Sequence, residues 1–290
     1  MRRLTTDKSA LTNGSSDGAA LEERSVVLVT GASRGIGQST ATLLAEHGYT
    51  VLGTARRPSR ESARGFELLQ LDVTSQESVN SCISAVLERA GRIDVLVNNA
   101  GVGLIGAEEE ASIEEARALF DANLFGVARM VNAVLPAMRA RHSGLIINFG
   151  SLGATLPVPF HGYLSASKAA VTTYSDALRV ELKYLGVDVS VVEPGSTATH
   201  LGERFAQLRV SRSIDDYTDQ ERRATAVMEQ GQRAGTDPRT VAKTVLRIIR
   251  SNAPAPYYPV GREKWLLRLT RILPPLAVES LISRRFQLFK

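Results

Sequence analysis

A doubly wound α/β fold with a mainly parallel sheet, formed by a single domain, is predicted by three observations. Short apolar, β-branched runs such as Val26–Val29 (VVLV) lack the alternation of a half-exposed strand, as expected of central parallel strands covered on both faces. Runs of this kind alternate with helical patterns along the chain. The first of them passes directly into a glycine-rich turn and then into a helix, the order in which backbone N–H groups and a positive helix end can receive a pyrophosphate. A length of 290 residues suits one such domain with a large core.

The glycine-rich turn reads Thr30-Gly31-Ala32-Ser33-Arg34-Gly35-Ile36-Gly37, and a helical pattern over 38–47 closes at Gly48. Its glycines let the backbone approach a ligand and let the helix pack closely on the strand. A second strand over 50–54 ends in Ala55-Arg56-Arg57. An acidic residue there would hold the free ribose hydroxyls of NAD, whereas guanidinium groups pair with a 2′-phosphate through charge-assisted bonds, so NADP is the expected cofactor. Arg34 would act on that phosphate from the other side. The spacing of Gly31, Gly35 and Gly37 is TGxxxGxG, by which the chain resembles the short-chain dehydrogenase/reductase family, a fold of the Rossmann type.

The resemblance extends over most of the chain. A third strand over 66–71 is followed by Asp72-Val73, which the resemblance sets against the adenine. An amphipathic helix over 75–90 has Thr74 or Ser75 as cap. A fourth strand over 93–97 ends in Asn98-Asn99-Ala100-Gly101, similar to the family's NNAG support of the cofactor, which assigns Asn98, Ala100 and Gly101 to that role. A long helical pattern over 112–139 contains Asn123; the matching family asparagine holds a water that relays protons, while the residue's own chemistry also suits backbone bonding that bends a helix.

A fifth strand over 145–149 delivers Ser151, and Tyr163 and Lys168 lie near the start of the next helix. A sixth strand over 187–192 leads to Pro194, Gly195, Thr197 and Thr199, similar to the family's element that holds the nicotinamide carboxamide. Residues 198–236 turn polar and helical and are expected to cover the substrate pocket. A helix over 239–250 and a last strand, Tyr257–Val260, complete a sheet of seven strands, giving a catalytic domain over 25–260.

In the family a tyrosine hydroxyl exchanges a proton with the substrate oxygen, a lysine four residues later holds the ribose and lowers the tyrosine pKa, and a serine orients the carbonyl. Ser151 and Lys168 match the serine and lysine, but the tyrosine position is Leu164. Positions four apart on a helix differ by about 40° and face alike, whereas Tyr163, five before Lys168, is roughly 140° away. Three readings follow. Another group or a water held by Ser151 replaces the acid; or a π-type bulge at the helix start brings Tyr163 into line; or Leu164 is inactivating.

Composition narrows the remaining classes. A single cysteine, Cys82, excludes a disulfide framework, and His47, His142, His161 and His200 are scattered, so no metal is expected. This usage suits a reduced, cytoplasmic setting. No uninterrupted apolar run reaches the roughly 18 residues of a spanning helix. Residues 1–24 lack a secretory apolar core and read as a disordered tail. The net charge of +5 arises after Gly261, where seven Lys or Arg face two Glu, so a nucleic-acid surface is not indicated. The basic amphipathic extension, 261–290, suits a cap on the core or on a second copy better than a membrane surface, and Pro274-Pro275 divides it.

The expected function is an NADP-dependent oxidoreductase that interconverts a carbonyl and a secondary alcohol on a fairly large apolar small-molecule substrate, in a homo-dimer or homo-tetramer as is common in the family. Leu152, Leu156, Val158 and Phe160 motivate the substrate class. The alternative is a cofactor-binding relative that has left redox chemistry, as an isomerase, dehydratase or cyclase, or as a pseudoenzyme.

Overall fold

The computed structural model describes residues 25–58, 65–156, 158–199, 207–209, 214–266 and 273–288. The tail expected over 1–24 lies outside these residues, as do parts of the expected cover and of the C-terminal extension.

Alternating burial explains the architecture. In β1 (Val26–Val29), Val26 and Leu28 join one apolar cluster while Val27 and Val29 join a second. The first cluster takes in Val79, Ile83 and Val86 of α2 (Gln76–Ala90), Met130 and Val134 of α4 (Gly126–Ala140), and Val171 and Leu178 of α5 (Gly162–Leu182). The second takes in Ala41 and Leu44 of α1 (Gly35–Glu46) and Val241, Val245 and Ile248 of α7 (Pro238–Ile249). A strand whose two faces are both covered has no use for alternating polar residues, which is why these strands read as continuous apolar runs.

The remaining strands are β2 (Thr50–Ala55), β3 (Glu67–Gln70), β4 (Val95–Asn98), β6 (Gly144–Phe149), β7 (Val187–Pro194) and β9 (Tyr257–Val260). They form a seven-stranded sheet in the order β3-β2-β1-β4-β6-β7-β9, and every pairing in it is parallel. The order reverses between β1 and β4, so a crevice opens at the C-terminal ends of those two strands, where ligands bind in such sheets. A doubly wound Rossmann-type fold is thus established.

Local chemistry sets the helix ends. Ser75 accepts from Ser78 N and caps α2. Ser112 and Glu115 form a capping box at the start of α3 (Ile113–Phe120), and Asp237 with Pro238 opens α7. The helix expected over 112–139 is in fact interrupted by a π-helical turn, Asp121–Phe125, between α3 and α4. By length and hydropathy alone residues 113–140 could cross a membrane. Their apolarity is accounted for by Met130, Val131 and Met138, which are fully buried against the sheet.

A second, two-stranded sheet was not anticipated: β5 (Gly103–Ile105) pairs in parallel with β8 (Gln207–Arg209). It is followed by α6 (Asp215–Arg233), and α8 (Pro275–Arg285) lies near the C-terminus.

Candidate active site

The glycine turn is braced from β4. Asn99 Nδ2 donates to the carbonyls of Thr30 and Gly31 at 2.9 and 3.1 Å, and Thr30 Oγ1 accepts from the N–H groups of Asn99 and Ala100 at 3.0 and 2.9 Å. Gly31 and Gly35 adopt φ of 67° and 56°, in the left-handed region that favours glycine. A Cβ at Gly37 would stand 2.3 Å from the Gly31 carbonyl oxygen, so no side chain fits there. Arg34 precedes α1 in extended conformation and no side chain caps that helix, whose first turn is also free of acidic residues. Its opening N–H groups and dipole therefore face the crevice, with Ser33 exposed beside them and Ile36 partly buried.

Thr199 reaches this turn from the far side, its Cγ2 being 3.3 Å from the Cβ position of Gly35. The Thr199 hydroxyl is buried without a hydrogen-bond partner, an orphan that a ligand amide in the crevice would satisfy. Thr197 Oγ1 instead donates to the Gly195 carbonyl, and Gly195 N donates to Val260, so Pro194 and Gly195 are fixed against β9. The donor set and the glycine cradle fit a dinucleotide.

At the end of β2, Arg56 and Arg57 are exposed. Asp72 accepts from both the N–H and the hydroxyl of Thr74; burial works to raise its carboxyl, but these bonds, with Arg56 and Arg129 nearby, hold it below the usual range. Val73 packs beneath Gly126, and its carbonyl accepts from Arg129. The Asn98 side chain turns into the sheet, where it donates to Asn148 Oδ1 at 2.9 Å, and Asn148 donates on to Ser175, so its support of the crevice runs through the sheet. A buried amide needs partners, and β6 and α5 supply them.

Lys168, Asn123 and Gly101 converge. Lys168 Nζ donates to the Phe149 carbonyl at 2.9 Å and lies 3.7 Å from the Cβ position of Gly101. Burial brings the Lys168 ammonium down to about 8, because desolvation disfavours the charged form. Asn123 sits in the π-helical turn, which widens the helix at that residue. It accepts from Val102 N at 2.8 Å and donates to the Val102 carbonyl and to Ser167 Oγ at 2.9 and 3.1 Å. Its bonds thus tie the segment after Gly101 to α5 rather than bending its own helix. Ser151 Oγ accepts from Gly153 N at 3.0 Å, and both it and Ser165 Oγ flank the Cβ position of Gly153, at 3.3 and 3.6 Å.

The structure brings Ser151, Lys168 and Asn123 to one end of the sheet but does not align Tyr163 with them. The helix is α-helical from Gly162, and Ser165 N donates to the His161 carbonyl in the regular i to i−4 pattern. The bulge that would bring Tyr163 into line is therefore absent from the start of α5; the π-type turn lies at Asn123 instead. Tyr163 and Leu164 both pack on the small apolar cluster of Leu104 and Leu119.

Two contributors escaped sequence reasoning. Asn99 is the brace of the glycine turn, signalled only by its place in NNAG. Glu108 accepts from the N–H groups of both Gly162 and Tyr163, capping the helix that carries Lys168 from a position 54 residues away. Beside it, Gly106 N donates to the carbonyl of Phe160, whose φ of 62° is unusual for a bulky residue.

The short-chain dehydrogenase family is matched by residues 25–208, leaving α6, α7, β9 and α8 beyond the match. A 3-ketodihydrosphingosine reductase from Bacteroides thetaiotaomicron is 39% identical over 230 residues, 79% of this chain and 85% of that one. Bovine retinol dehydrogenase 8 is 35% identical over 275 residues, 88% of this chain and 85% of that one. Rat estradiol 17-beta-dehydrogenase 1 is 34% identical over 255 residues, 81% of this chain and 73% of that one. Among solved structures, a short-chain dehydrogenase from Streptomyces avermitilis superposes with a TM-score of 0.78 at 33% identity, covering 91% of this chain and 96% of that one. A serine dehydrogenase complexed with NADP+ gives 0.69 at 28% identity, over 81% and 94%. With its crevice at the strand reversal, its uncapped glycine turn and these relatives, the chain belongs to the short-chain dehydrogenase family of oxidoreductases.

Proposed function

We propose that the protein is an NADP-dependent oxidoreductase that interconverts a carbonyl and a secondary alcohol on a large apolar substrate, with a proton-transfer site that lacks the usual phenol. The observation that carries this reading is the partly buried Lys168 ammonium, set on the Phe149 carbonyl beside Gly101 and brought down to about 8 by desolvation. A bound nicotinamide supplies or accepts the hydride. The chain's own task is then to hold the substrate oxygen and to exchange one proton with it.

Ser151 offers its hydroxyl to the oxygen, and Lys168, partly buried on the Phe149 carbonyl, supplies an ammonium at this end of the sheet. A water between Ser151 and Lys168 completes the path that a tyrosine would otherwise provide. NADP is supported by Arg34, Arg56 and Arg57 around the ends of β1 and β2, and by the NADP+ complex of the serine dehydrogenase. The apolar substrate is supported by Leu152 and Leu156 after β6 and by the names of the relatives, which concern a sphingoid precursor, retinol and estradiol. The cytoplasm and a homo-oligomer complete the proposal.

A second reading has its own observation. Leu164 is packed on Leu104 and Leu119 in a regular helix, so α5 presents no phenol at that position, as expected of a non-redox relative or a pseudoenzyme. Oxidation of NADPH against a panel of large apolar ketones separates the two. The chain is expected to turn over slowly, and Leu164→Tyr to raise the rate by about 10²–10⁴, the usual contribution of a positioned acid. Tight NADPH binding with no turnover of any ketone, and robust turnover only in Leu164→Tyr, would favour the second reading.

A further inference from the structure

The C-terminal extension is built into the substrate side of the molecule. Along α8, Glu279, Ile282, Ser283 and Phe286 follow an i, i+3, i+4, i+7 spacing and form one face. Ser283 and Phe286 on that face are buried, whereas Leu276 and Leu281 are exposed. Two attachments hold the helix. Arg223 of α6 donates to the Gln287 carbonyl at 3.3 Å, and Arg285 lies 3.9 Å from Glu263, whose carboxylate reaches over Gly195.

Between this face and the start of α5 lies a cavity of about 400 Å³. One side is formed by Val158, Pro159, Gly162 and Ser165. The other is formed by Ile282, Ser283 and Leu288, with Glu279 as the only charged lining residue among the described residues. Ser165 is one turn before Lys168 and shares the Gly153 position with Ser151, so the inner end of the cavity adjoins the site described above. At Gly162 a second carboxylate, that of Glu108, stands 2.7 Å from the Cβ position, and no basic side chain lines the space among the described residues.

We propose that α8 is the specificity wall of the substrate pocket. Ile282 and Leu288, facing Val158, receive an uncharged apolar chain of the substrate, and Glu279 with Glu108 disfavours chains that end in an anion. The assignment rests on the reading of Ser151 and Lys168 as the reacting end. Length selection follows because each methylene that enters the cavity adds its transfer free energy, about threefold to fourfold in affinity. Once the wall is reached the gain stops.

The test is equilibrium binding, by calorimetry, of straight-chain methyl ketones from hexyl to hexadecyl to the full chain loaded with NADP+. Affinity should rise with length and then level off. Ile282→Ala should weaken the longest ketones by about tenfold, with the loss growing along the series, and Leu288→Ala should do the same. Leu281→Ala, on the exposed face, should leave the series unaltered, and NADP+ affinity verifies that each variant is folded. Ketones carrying a terminal carboxylate should bind more weakly than their methyl-ended counterparts, with Glu279→Gln narrowing the gap. Binding independent of length, equal effects of Ile282→Ala and Leu281→Ala, or carboxylates bound as well as methyl ends would overturn the proposal. Because binding is read rather than turnover, length-dependent binding with no turnover would defeat the redox reading and keep the wall. Turnover with flat binding would do the reverse.

Discussion

On the proposed function, Lys168 is the residue at which the lack of a phenol has a measurable consequence. An ammonium that burial brings to about 8 changes charge within the working range of most assays, whereas its ordinary value is 10.5. Carbonyl reduction consumes a proton, so the protonated lysine is the competent form and reduction should fall as pH rises through about 8. Alcohol oxidation releases one, so the deprotonated lysine is competent and oxidation should rise over the same interval. Initial rates in both directions across this range check the sign. In Leu164→Tyr the phenol takes over the transfer, and the break should move away from the lysine. A profile that is flat through 8 in this chain would remove Lys168 from the proton path. The candidates at this end, Ser151, Lys168 and Leu164, came from the resemblance to the family's serine, tyrosine and lysine spacing. The fate of Tyr163 was not legible in the sequence, since whether a helix begins with a bulge depends on what packs around its first turn.

At the scale of elements, the start of α5 is set by a distant carboxylate. Glu108 receives the N–H groups of Gly162 and Tyr163, and no side chain of the preceding residues caps the helix. Two orphan donors and the positive helix end are thereby satisfied together. Removing the carboxylate in Glu108→Ala should cost about 1–2 kcal/mol, as for other helix caps, and lower the melting temperature by several degrees. Glu108→Gln keeps an acceptor oxygen and should recover part of that loss in the same thermal scan. The adjacent residues tie in α6: Glu110 accepts from Ile214 N and Glu109 from the Tyr217 hydroxyl, both at 2.7 Å. This junction was illegible in the sequence for a physical reason. Ser75, Ser112 and Asp237 announce helices because each bonds within its own turn. Glu108 acts across 54 residues, and the three-residue strands β5 and β8 are too short to show a period. The stripe on α8 was visible as amphipathicity, but periodicity names a buried face without naming what covers it.

For the whole molecule, the sheet order decides where selectivity for the cofactor is exerted. With β2 beside β1, the loop carrying Arg56 and Arg57 ends next to the glycine turn that carries Arg34. In the proposed NADP complex these three arginines would face the ribose 2′-phosphate, although they follow two different strands and no short segment contains them all. The parallel winding was legible because apolar runs, glycine turn and helices alternate as in a doubly wound sheet, whereas the order of the strands comes from the structure. Neutralising Arg56 and Arg57 together with alanine should weaken NADPH by about 10²-fold, through lost charge-assisted bonds, and should leave NADH nearly unchanged. Both side chains are exposed, so the discrimination should also shrink as ionic strength is raised, because screening shortens the reach of surface charge. Dissociation constants of the two cofactors, measured by fluorescence titration at low and high salt, check both parts. Equal losses for NADPH and NADH would instead mean that the two arginines shape the turn and do not read the phosphate.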